Sequence, residues 1–128
     1  MKNMAFHYLY RDAGNFKKWN TIIFSNPKKL TVKWIRDEIA RLLPDDLFIA
    51  SQVRLLELFH YKGTSLNPDD HCFHEFSALQ PTDVASDDLY GRTIDQFLEE
   101  IGNAIENGWR VFDPWESEFE KQFYEIRA

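Results

Sequence analysis

The 128-residue sequence predicts a single α+β domain, with a mainly antiparallel sheet of about 4–5 strands and three helices packed against it. Three observations carry that expectation. Residues 5–11 and 19–25 are rich in β-formers and flank the turn-forming Asp12-Ala13-Gly14-Asn15. Apolar residues recur at helical spacing over 32–43, over 94–106 and again from Trp115 onward. The length fits one domain, and a chain of this size buries roughly two-thirds of its unfolded surface without needing metals or disulfides.

The elements follow in chain order. In the first strand of the hairpin, Phe6, Tyr8 and Tyr10 share one face, with Ala5, His7, Leu9 and Arg11 on the other. Neither face is purely polar. Such a strand suits a sheet covered on both sides or shared with a partner, which admits a homo-oligomer. Asn26-Pro27 breaks the second strand, and Thr31 is placed to cap the next segment. Val32, Ile35, Ile39 and Leu42 form the stripe of a helix over 32–43, stopped by Pro44. Trp34 lies off that stripe, either widening the buried face or serving as an exposed anchor.

Leu47 to Gln52 predicts a strand, and Val53 to Tyr61 fits either period, read as a short irregular helix or loop entering a strand near 57–62. Residues 62–70 carry strong turn chemistry. His71 to Leu79 alternates, with Cys72, His74, Phe76 and Ala78 on one face and His71, Phe73, Glu75, Ser77 and Leu79 on the other. Gln80 to Gly91 is polar and predicts a loop. Thr93 and Gln96 make a capping box for a helix over 94–106, stopped at Asn107-Gly108. Gly102 weakens that helix but permits close packing. Asp113-Pro114-Trp115-Glu116 repeats the start signal for a final helix, with Trp115, Phe119, Phe123 and Ile126 on one side and mostly glutamates on the other.

Composition bounds the function. A net charge of −6 disfavours general nucleic-acid binding, which needs a basic face. No stretch approaches 18 apolar residues, so no membrane span is expected. The opening MKNMAFHYLYRD predicts no signal peptide. Cys72 is the only cysteine, which points to a reducing, cytoplasmic setting without disulfides. Eleven Phe, five Tyr and four Trp are enough to leave aromatics over for an interface or pocket.

The candidate site is the hairpin tip, with Arg11, Asp12, Asn15 and Lys17, together with His74 and Glu75. Turn chemistry explains Asp12, Gly14 and Asn15. It does not explain Arg11, Lys17 and Lys18 together, which suit an anion or a carboxylate partner. His71, His74 and Glu75 suggest a metal, but strand alternation puts the two histidines on opposite faces, so no metal site is assigned. Cys72 on an apolar face reads as packing rather than as a nucleophile. The chain has no phosphate-binding glycine loop, no nucleophile elbow and no zinc motif, so neither a cofactor nor a catalytic residue is assigned.

Tyr10-Arg11-Asp12-Ala13-Gly14-Asn15-Phe16-Lys17 and Asp70-His71-Cys72-Phe73-His74-Glu75-Phe76 resemble two motifs of a family of small, largely uncharacterised bacterial proteins. The similarity covers roughly residues 6–80 and implies that both motifs belong to one fold. It carries over no catalytic residue. The functional expectation is a non-catalytic binding protein, an interaction, inhibitor or immunity-type module of a bacterial conflict system. The alternatives are a binder of an anionic, nucleotide-like small molecule, and a small metal-dependent hydrolase using His71, His74 and Glu75.

Overall fold

The alternation of Phe6, Tyr8 and Tyr10 makes the first strand the spine of the protein. The structure, a computed structural model, describes residues 2–59 and 70–114. Strand β1 (Asn3–Arg11) pairs antiparallel with β2 (Lys17–Phe24) in an unbroken register from Met4 opposite Phe24 to Arg11 opposite Lys17. The chain then forms helix α1 (Val32–Leu42), strand β3 (Leu47–Phe48), a 3₁₀ helix over Ala50–Val53, strand β4 (His74–Thr82) and helix α2 (Ile94–Asn107). The sheet order is β2-β1-β4-β3, with every pairing antiparallel. The expected α+β class and antiparallel sheet are therefore present. The described residues hold two α-helices, one fewer than expected, and the third predicted helix lies outside them from Trp115 onward.

Both helices close as their sequences direct. Thr31 accepts the Trp34 amide at 3.1 Å, and the Thr93–Gln96 capping box is formed in both directions. Their apolar stripes cover one face of the sheet. At its centre Phe6 packs its ring against Phe76 at 5.1 Å and Phe97 at 5.0 Å, while Phe24 stacks on Phe97 at 4.4 Å. Ile35, Ile39, Leu79, Ile94 and Ile101 complete this core, all essentially without exposure.

Three expectations are corrected. The strand predicted over 47–52 lasts two residues and turns into the 3₁₀ helix, because a short apolar run does not fix its own period. Residues 54–59 form no strand, and the remainder of the segment predicted near 57–62 lies outside the described residues. The strand predicted over 71–79 is shifted to 74–82, so the predicted loop over 80–91 begins three residues late. Pro81 is tolerated there because β3 reaches only Glu75 and His74, leaving that stretch of β4 hydrogen-bonded on one side.

The register of β4 also breaks. Tyr8 faces Phe76 and His7 faces Ala78, so Ser77 is an extra residue in the ladder. This bulge reverses the predicted alternation beyond it. Phe76 and Leu79 both join the core face, and Ala78 moves to the other side.

Candidate functional site

The hairpin tip is built by its own polar groups. Asp12 accepts the Phe16 amide at 2.8 Å through its carboxylate, and the Asp12 and Phe16 backbones bond at 3.0 Å. Asn15 takes a left-handed conformation, φ 65°, which asparagine tolerates. Asp12 and Asn15 thus shape the turn, and Asp12 is 7% exposed.

Arg11 reaches across the sheet to the second motif. Its Nε donates to Glu75 Oε1 at 2.9 Å and its Nη2 to Oε2 at 3.3 Å, while Nη1 donates to Asn15. The Glu75 hydrogen bond raises the Arg11 pKa. This fork-to-fork pair joins the two sequence motifs at one place, as the candidate site requires. It also occupies donors that an anionic ligand would use.

Lys17 and Lys18 extend into solvent and make no ion pair among the described residues. They stand on β2, the edge of the sheet. The far end of that edge is covered where the Ile23 amide donates to the Asp87 carboxylate at 2.7 Å and the Asp87 amide to the Ile23 carbonyl at 3.0 Å. The two lysines sit on the open part, where such charges block edge-to-edge pairing.

The histidines separate. His74 is fully buried, ringed by Tyr8, Tyr10, Phe48 and Phe59, and its Nε2 accepts the Leu58 amide at 2.9 Å. Burial pushes its pKa down to about 4, so it is a neutral core group out of reach of a ligand in solvent. His71 lies outside the sheet. Its Nε2 donates to the Arg11 carbonyl at 2.7 Å, because Nδ1 is the acceptor for the Phe73 amide at 3.1 Å. Glu75 points to the other face of the sheet, so the trio proposed for a hydrolase does not converge. Among the described residues, no cluster of His, Cys, Asp and Glu has the arrangement of a metal site. Cys72 is buried, and burial raises its thiol pKa, the opposite of an activated nucleophile.

The face of the sheet turned away from the helices is where Arg11 and Glu75 emerge. The register sets Trp19, Leu9, Glu75 and Leu47 in one row across all four strands, about 14 Å wide at the usual strand spacing. Arg11 and Lys17 form the next row toward the tip. On the other side His7 bridges three strands, bonding Thr21 at 2.6 Å and Gln80 at 3.1 Å. No described helix packs here, yet Leu9 at the centre of the row is only 3% exposed, so the face is accessible at Trp19, Leu47 and the tip rather than along its middle. Trp19 is 54% exposed, and Phe16 at the tip is 67% exposed.

Sequence reasoning missed Trp19, Phe16 and Leu47 as site residues, although the parity of β2 already placed Trp19 beside Lys17. It also missed Arg92, which carried no signal in a polar loop. This guanidinium is 5% exposed. It grips Asp88 through two bonds of 2.9 and 3.0 Å, and donates to the carbonyls of Val53 at 2.6 Å and Arg54 at 2.9 Å and to Glu100. Burial pushes the Asp88 carboxyl up, but its bonds to Arg92 outweigh that and leave its pKa lowered. Every one of these bonds ties chain to chain, so the cluster is a structural clasp.

No protein-family model, no curated protein and no solved structure matches this chain. Among the described residues no helix is long and apolar enough to cross a membrane.

Proposed function

We propose that this protein is a non-catalytic binding module that docks a protein partner on the open face of its sheet, an inhibitor or immunity-type component of a bacterial conflict system acting in the cytoplasm. The observation that carries the reading is the exposed Trp19 set in a four-strand hydrogen-bonded row beside the Arg11–Glu75 pair. Tryptophan and arginine are the side chains that most often dominate protein interfaces, and they act best when their surroundings are already ordered. The groups that would serve catalysis are engaged elsewhere: His74 in the core, His71 on backbone, Glu75 on Arg11. A lone, buried thiol supports a reducing compartment.

The test is affinity capture by the full chain, comparing wild type with Trp19→Ala and with Leu89→Ala, a residue 94% exposed and off the sheet. A partner retained by Leu89→Ala and lost by Trp19→Ala supports the reading. A partner lost by neither, or by both, rejects it. A second reading, a site for an anionic nucleotide-like ligand, is favoured only by Lys17 and Lys18, which make no ion pair among the described residues. It requires nucleotides to raise the unfolding midpoint of wild type and not of a Lys17→Ala/Lys18→Ala variant.

A further inference from the structure

The two helices leave a groove on their outer side. Its floor is Trp34 and Leu42 of α1 with Leu98 and Ile105 of α2, and its α2 rim carries Glu99 and Glu106. Those glutamates are seven residues apart, so they stand on one stripe of the helix, with Gly102 between them. Gly102 presents no side chain there, and the position its Cβ would take lies 3.7 Å from Leu42 across the groove floor.

We propose that this groove docks a basic amphipathic helix of a partner protein. Three observations define that occupant. Trp34 is 48% exposed on a well-capped helix, where burying it has value only against something apolar. Glu38 and Asp95 are already neutralised by Arg41 and Lys28, whereas Glu99 and Glu106 hold no ion pair among the described residues. The groove therefore offers an apolar floor and two uncompensated negative charges, which call for Lys or Arg flanking an apolar stripe. Its α2 lining runs from Asp95 to Glu106, about 16 Å at the helical rise, which matches a partner helix of about three turns.

The charge pattern disfavours the other occupants. Residues 115–128 of this chain contain four Glu against one Lys and one Arg, and a second copy carries a net charge of −6, so either would bring more negative charge to the rim. The inference takes its premise, that the protein acts by docking, from the function proposed above. It uses a different surface, and variants separate the two.

The probe is a fluorescein-labelled peptide of about 14 residues with leucine and lysine at helical spacing, followed by anisotropy against the full chain. A glutamate-for-lysine version serves as control. Binding of the basic peptide, weakened about tenfold or more by Trp34→Ala and by Glu106→Lys, supports the proposal. Equal affinity in wild type, Trp19→Ala and Asp45→Lys completes it, because Asp45 is an exposed acid off the groove. Absence of binding, equal binding of the acidic peptide, or equal weakening by Asp45→Lys and Glu106→Lys would overturn it. So would a concentration-dependent dimer abolished by Trp34→Ala, which would assign the groove to a second copy. If Trp19→Ala loses its captured partner but keeps the peptide, the two surfaces are independent.

Discussion

His74 offers the sharpest test of how the interior beneath the hairpin is built. Its imidazole is held down to about 4 by burial, against an ordinary value of 6.5. Between those values the unfolded chain takes up a proton that the folded chain refuses. The stability owed to the neutral ring is therefore complete above about pH 6.5 and is lost as pH falls toward about 4. At 1.36 kcal/mol per pH unit, the loss is about 2 kcal/mol by pH 5 and about 3 kcal/mol by pH 4. The perturbation is His74→Gln, which keeps an acceptor for the Leu58 amide but cannot titrate. Urea unfolding of wild type and variant across this range gives the difference in stability at each pH, which cancels carboxylates common to both. That difference should shrink, in disfavour of wild type, by about 2 kcal/mol between pH 7 and pH 5. A difference that stays constant would refute the buried, neutral assignment and return His74 to the binding surface.

The remaining predictions address the clasp, the helix and the site. Arg92→Met should cost about 3–5 kcal/mol in denaturant unfolding, because it strands a 3%-exposed Asp88 carboxylate without its partner. Arg92→Lys should recover little of that, since one ammonium cannot span Asp88, Glu100 and two carbonyls. Gly102→Ala should stabilise the fold by about 0.5–1 kcal/mol, since a Cβ there meets Leu42 at an ordinary 3.7 Å and a helix interior favours alanine; a lowered midpoint would contradict the packing described. Arg11→Ala should lower the unfolding midpoint only slightly, because the pair with Glu75 is partly exposed, while weakening partner capture; unchanged capture would remove Arg11 from the interface.

Much of the fold was legible where one physical signal acted alone. The β1–β2 pairing follows from two alternating segments and an Asp-Ala-Gly-Asn turn, and both described helices follow from their stripes and caps. The failures occurred where tertiary context decided. Nothing in Phe76-Ser77-Ala78 marks Ser77 as the bulged residue, yet that one insertion reverses which side chains face the core. Pro81 reads as a strand stop until β3 is seen to end short of it. The site divides in the same way. The meeting of Arg11 with the second motif was readable, because both segments were strands in one sheet. The burial of His74 was not, because it depends on Leu58, Phe59 and Phe48 closing over it from elsewhere in the chain.

Site-specific photocrosslinking in the cells that make this protein tests the docking surface most directly. A photoreactive residue replaces Leu47, Lys17 or Thr21 on the open face, or Leu89 off it, each in the full chain. The expected result is one discrete protein adduct shared by the three sheet positions and missing from position 89. Adducts formed equally from all four positions, or none from the sheet, would contradict a binding role for this face.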